Sequence, residues 1–230
     1  MIELVSTYYQ ALSGMYRQWY QPGQFFEAPA LFLISEKPMP VLSAKYDPRT
    51  NTYSYAVEMT DAEGFKEEQM PVQPLELRSN ERLALVKCKM RPVIIVSRAA
   101  DSWKDKQRRS DECFLVAPVY SFEGDTEKVV YSPTFIERVK AYAYNTFFYL
   151  PPSTNPFVKE SFARFDRIQV IHKSWLQHKP IKMTLDALEC LQAWLYCYLT
   201  WDPSEAAAVS KMCDLVLEYR EEKLKALGIS

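Results

Sequence analysis

Glycine is scarce in this chain, with five in 230 residues. A loop that cradles phosphate needs several glycines close together, and no GxGxxG, Walker-type, GxSxG or HExxH pattern occurs. ATP chemistry and dinucleotide binding are therefore not expected. Histidine is scarcer still: His172 and His178 are too few for a histidine-rich metal site. The five cysteines, at 88, 113, 190, 197 and 213, are odd in number and include no CxxC pair. That argues against a disulfide framework and against a zinc ribbon. No stretch reaches the roughly 20 apolar residues of a membrane span. Residues 1–20 carry neither a basic leader nor an apolar run. A soluble protein of the reducing cytoplasm is the expectation, with no membrane association, no metal and no cofactor. A strong charge of one sign is missing too: the net charge of -1 provides no global field to attract a polyanion.

Apolar and aromatic residues, by contrast, are plentiful, at 48% and 14%, enough to bury a sizeable core. Charge is concentrated locally. Between residues 87 and 109 stand Lys87, Lys89, Arg91, Arg98, Lys104, Lys106, Arg108 and Arg109, opposed only by Asp101 and Asp105. Such a patch suits a nucleic-acid backbone, and Trp103 inside it suits stacking on a base. A basic loop is also, in ordinary cases, a solvated face, and a loop tryptophan can fold back on its own domain.

Residues 2–20 space Ile2, Val5, Tyr9, Leu12, Tyr16 and Trp19 three or four apart, the stripe of an amphipathic helix that Pro22-Gly23 would end. From Gln24 the period shortens to two. QFFEAPALFLIS, VLSAKY and TYSYAVEM are strand-like, with a turn at Asp47-Pro48-Arg49-Thr50-Asn51, so a hairpin is expected. Residues 61–82 are polar and punctuated by proline, a connection rather than a domain boundary. Residues 83–86, 93–97 and 113–119 are β-rich runs, and 98–112 form a charged loop between the last two. Further strands are expected at 128–132 and around 168–171. Between them, TFIERVKAYAY is a short helical pattern that Pro151-Pro152 stops. Thr184 caps a helix carrying Leu188, Leu191, Leu195 and Tyr198, and Asp202-Pro203-Ser204-Glu205 is a capping box opening the last helix. Cys190, Trp194, Cys197 and Tyr198 fall near one helix face and are read as core or oligomer contacts. The order helix, strands, helices predicts α+β architecture in one domain over 1–230. Its parts are a helical extension at 1–22, the sheet region with insertions at 24–182 and helices at 184–230.

Candidate chemistry gathers in a few places. Cys113 and His172 supply a candidate nucleophile–base pair. The run Arg91-Pro92-Val-Ile-Ile-Val-Ser97, the basic loop, and the return Phe-Leu-Val-Ala-Pro118-Val-Tyr120-Ser121 resemble the MazF/PemK/Kid family of toxin ribonucleases. In that family a strand opening Arg-Pro runs into a loop and returns as a strand ending Pro-x-Thr-Ser. Arg164-Phe165-Asp166 resembles the family's Arg-x-Asp segment, and the helix over 184–199 its C-terminal helix. Gln21-Pro22-Gly23-Gln24-Phe25-Phe26 resembles its opening Gly-Asp-Ile strand.

The resemblance implies a small SH3-like, mostly antiparallel β-barrel, here with an N-terminal helix and C-terminal helices. It also implies a homodimer and a cognate antitoxin protein. The implied activity is metal-independent endoribonuclease cleavage of single-stranded RNA by attack of the ribose 2′-hydroxyl. By position, Asp166 is the base, Arg164 the acid or charge clamp, Arg91 a phosphate clamp and Ser121 a donor to the phosphate. Lys87, Lys89, Trp103, Arg108, Arg109 and Tyr120 hold the substrate. The clamp suits Arg164 better, since arginine's high pKa is a handicap in an acid. This chain departs from the pattern by carrying Tyr120 where the family has threonine and by lacking the histidine before Arg-Pro. The alternative is therefore a non-catalytic PemK-like binding module for RNA, DNA gyrase or a protein partner, its site filled by Tyr120. Arg164 and Asp166, two apart, also suit a plain solvated ion pair.

Overall fold

The computed structural model describes residues 5–32, 38–61, 63–64, 66, 72–79, 81–98, 113–124, 130–200 and 211–229. The chain divides into two compact units, Met1–Ala30 with Lys89–Ser230, and Leu31–Cys88, where a single domain is the sequence expectation. The architecture is mixed α+β, built mostly of antiparallel strands with, among the described residues, three α-helices.

The larger unit is organised by one sheet of eight strands. These are β1 (Tyr9–Ala11), β2 (Gln24–Leu31), β6 (Cys88–Arg98), β7 (Cys113–Ser121), β8 (Phe147–Leu150), β11 (Ser161–Arg164), β12 (Gln169–His172) and β13 (Gln177–Met183). Their order is β1-β13-β2-β6-β7-β11-β8, with β12 also paired to β7. β1 and β8 are its two ends and do not pair with each other among the described residues, so the closed barrel expected from sequence is corrected to an open sheet. Strand β6 explains why the sheet forms here. Val93, Ile94, Ile95 and Val96 are all almost fully buried, as β-branched residues are in a strand covered on both faces. Ile94 and Val96 join one core with Ala117, Val119, Leu191 and Trp194. Val93 and Ile95 join the other with Phe26, Val116 and Ile171.

The helix expected over residues 2–20 is also corrected. Tyr9–Ala11 pairs with β13, Tyr9 opposite Met183, and Tyr16–Gln18 makes only a short 3₁₀ turn. Gly14 lies between them with φ of +70°, a left-handed conformation that no helix can carry through. The three-to-four spacing of Tyr9, Leu12 and Tyr16 thus follows from a strand, a turn and a coil docking separately. The Tyr9 hydroxyl donates to the Pro151 carbonyl at 2.9 Å. Gly23, with φ of +80°, opens β2, and a Cβ there would stand 3.3 Å from Met183 Cβ.

Helix α1 (Pro133–Lys140) begins at Ser132, whose side chain accepts from Phe135 N, with proline at the first helical position. It ends before Tyr142, at φ of +55°, well ahead of the prolines expected to stop it. Residues 130–132 are not strand. Helix α2 (Leu185–Thr200) starts at Thr184, whose Oγ1 accepts from Ala187 N. It buries Cys190, Leu191, Trp194 and Cys197, and packs against α3 (Lys211–Ala226) through Cys213 and Val216. The capping box at 202–205 lies outside the described residues. A small hairpin, β9 (Ser153–Thr154) with β10 (Phe157–Val158), completes the unit.

In the Leu31–Cys88 unit, β3 (Met39–Asp47) and β4 (Thr52–Thr60) form the expected hairpin in unbroken register, with Asn51 at φ of +52° in its turn. β5 (Leu83–Ala84) flanks β3.

Candidate functional site

β6 and β7 pair with Val93 opposite Pro118, and the same register carried two residues on brings Arg91 opposite Tyr120. The Arg91 guanidinium carbon lies 4.4 Å from the Tyr120 ring centroid. On the other side of β7, Phe162 of β11 pairs with Tyr120, and their rings stack at 5.8 Å. Arg164, two residues further along β11 and so on the same face, sets its guanidinium 5.5 Å from the Tyr120 ring and 5.3 Å from that of Phe147. Tyr120, 9% exposed, therefore receives two cations within the range of cation–π attraction.

Arg164 in turn holds Asp166 with two hydrogen bonds, Nε to Oδ1 at 3.0 Å and Nη2 to Oδ2. Asp166 sits in a 3₁₀ turn that follows the strand. The pair is therefore a bidentate fork, not two side chains along one strand face. Burial by itself lowers the Arg164 pKa, but the hydrogen bond and charge of Asp166 outweigh it and raise the value.

Beside this stack opens a cleft of about 570 Å³. Among the described residues its walls carry four cations, Lys89, Arg91, Lys159 and Lys179, and one carboxylate, Glu123. Lys159 pairs with Glu123 at 3.4 Å and Lys179 with Glu27 at 2.7 Å. Tyr120, Tyr131, Phe25 and Phe157 supply aromatic surface, and Phe157, at the β9–β10 hairpin, is 69% exposed. Burial raises the Tyr131 pKa, and the nearby Arg164, Arg91 and Arg167 offset this only partly. Ser121 lines the cleft, but its hydroxyl donates to the Glu160 carbonyl at 3.4 Å and accepts from Glu123 N at 3.2 Å.

The structure thus brings together Lys89, Arg91, Tyr120 and Ser121 at the cleft, with Arg164 and Asp166 linked to it through Tyr120. Lys87 belongs to the Leu31–Cys88 unit, its ammonium 5.7 Å from the Phe32 ring. Trp103, Arg108 and Arg109 lie outside the described residues. Sequence reasoning missed Tyr131, Phe157, Lys159 and Lys179; the exposed Phe157 beside Pro156 was the one local signal. Cys113 and His172 do face each other across β7 and β12. However, His172 Nδ1 accepts from Ser174 N at 3.2 Å, which in the neutral ring leaves the proton on Nε2 and no lone pair for a thiol proton. His178 is packed against Tyr20 and Phe26, bonded to the Trp19 carbonyl, and does not line the cleft. Among the described residues no group of three or more His, Cys, Asp or Glu is placed to hold a metal ion. Among the described residues no helix is long and apolar enough to cross a membrane. Comparison with the models of known families, with curated proteins and with solved structures finds no match.

Proposed function

We propose that the cleft binds single-stranded RNA without cleaving it, as a PemK-like binding module whose reactive position is filled by Tyr120. The observation carrying this reading is the Arg91–Tyr120–Arg164 stack tied to Asp166. Attack by a ribose 2′-hydroxyl needs a base to take a proton, an acid to give one, and positive charge on the phosphate. Asp166 would have to leave a partly buried bidentate guanidinium to act as base. Arg164, its pKa raised, holds its protons more tightly than a free arginine. The Ser121 hydroxyl already serves the Glu160 carbonyl and Glu123 N. What the cleft retains is cationic charge and the exposed ring of Phe157, and binding a single strand needs only charge and a stacking face. A cognate antitoxin segment is the protein partner proposed for the same surface, on the family resemblance.

The test is fluorescence anisotropy with a labelled, unstructured RNA of about ten nucleotides, chelator present, followed by a denaturing gel. The RNA stays intact, and log affinity falls with log salt at a slope of about −1.4, for two phosphates neutralised. Asp166→Asn leaves affinity unchanged, since neither Arg164 nor Asp166 lines the cleft. Cleavage by the wild type, lost in both Asp166→Asn and Arg91→Ala, would instead restore the toxin-type endoribonuclease reading. Absence of binding at low salt would sink both.

A further inference from the structure

The Leu31–Cys88 unit carries a feature independent of the cleft. β4 is the outer strand of the order β4-β3-β5, and among the described residues only β3 pairs with it. Edge strands are ordinarily blunted by short length, proline, a bulge or inward charge. β4 has none of these: nine residues, no proline, a continuous register and one charge, Glu58. Alternation puts Tyr53, Tyr55, Val57 and Met59 on one face, and Tyr55, Val57 and Met59 are 46%, 61% and 60% exposed.

We infer that β4 pairs antiparallel with β4 of a second copy of this chain, about a two-fold axis at Ala56. Only that register pairs all nine residues. It sets Tyr55 across from Val57 of the second copy and Tyr53 across from Met59, aromatic against apolar partners, as cross-strand pairs favour. Glu58 meets Ser54 rather than a like charge. The smallest side chain of the strand, Ala56, meets itself at the axis. A slip by one residue would set the apolar face against the polar one. The result is a six-stranded sheet with one continuous apolar face.

Area sets the strength. A nine-residue strand is about 30 Å long, and an edge about 10 Å deep offers about 300 Å² on each side. A standard stable interface buries about 800 Å² per partner. The dimer is therefore weak and reversible, half-formed only at high micromolar concentration.

Cysteine cross-linking tests the register. In a Cys88→Ser background, which removes the exposed native thiol, Ala56→Cys places two thiols on facing residues. Their Cα separation of about 4.5–5.5 Å lies within disulfide reach. With oxidised glutathione as oxidant, Ala56→Cys forms a covalent dimer at least tenfold faster than Thr52→Cys, whose copies lie at opposite ends of the paired strands. Equal rates would overturn the register. Sedimentation of the unmodified protein gives a mean mass that rises above 26.8 kDa as concentration increases. Val57→Lys, at a 61% exposed position, returns it to monomer with an unchanged circular dichroism spectrum. A wild type that is monomeric at every concentration, or a dimer that Val57→Lys leaves intact, would refute the pairing.

Discussion

Replacing Tyr120 by leucine, with phenylalanine as control, isolates what the ring contributes between its two arginines. Leucine keeps an apolar side chain in the β6–β7–β11 face but removes the π surface that Arg91 and Arg164 approach at 4.4 and 5.5 Å. Each such contact is worth about 0.5–1 kcal/mol at a partly exposed site. The stack on Phe162 adds about 0.5–1.5 kcal/mol beyond area burial. Tyr120→Leu should therefore cost about 1.5–3.5 kcal/mol in urea unfolding, whereas Tyr120→Phe, which keeps the ring, stays within about 1 kcal/mol of wild type. A double-mutant cycle with Arg91→Met, which keeps an unbranched stem and loses the guanidinium, should return a coupling of about 0.5–1 kcal/mol. A coupling of zero, or leucine and phenylalanine variants of equal stability, would refute the stacked arrangement as an energetic unit. It would also remove the reason for regarding Tyr120 as the occupant of the site.

Phe157→Ala, at an exposed hairpin position, leaves thermal stability unchanged but lowers RNA affinity by about 1–3 kcal/mol in the anisotropy titration, the range for one stacked base. Trp194→Phe removes the indole N–H that donates to the Phe147 carbonyl at 2.9 Å and loosens the edge contact with Tyr142. It should cost about 0.5–1.5 kcal/mol in chemical denaturation, because a partly buried carbonyl loses this donor. For His178, burial lowers the pKa below the ordinary 6.5; Arg17 adds to this, and the bond to Trp19 O offsets only part. The unfolded chain thus takes up a proton before the folded one. Stability from this group is complete above pH 6.5 and falls as pH drops from there through the lowered folded value. His178→Gln should flatten that part of the stability–pH curve, and an unchanged slope would show that other groups carry it.

How much was legible in the chain differs from element to element. Four consecutive β-branched residues, Val93 to Val96, bury a strand on both faces wherever it lands, so β6 was readable without its neighbours. So were the turn at residues 48–51 and the cap at Thr184, because each depends on residues within one turn of itself. Arg91 and Tyr120 came close to readable too, being at matched ends of a hairpin. The N-terminal stripe was not: its spacing fits a helix, and only Gly14 and an available edge on β13 turned residues 9–11 into a strand. Whether the sheet closed was undecided by any local pattern, since that depends on the two ends, β1 and β8, finding one another. The cleft was decided the same way. Lys89, Tyr131, Phe157, Lys159 and Lys179 come from separate elements, each ordinary in its own segment. Side-chain period and capping are local properties that the sequence by itself determines. Strand order and register are long-range choices, made by the packing of cores on both faces of the sheet, and they alone brought two arginines to one tyrosine, whereas the Arg164–Asp166 fork is local, its partners two residues apart.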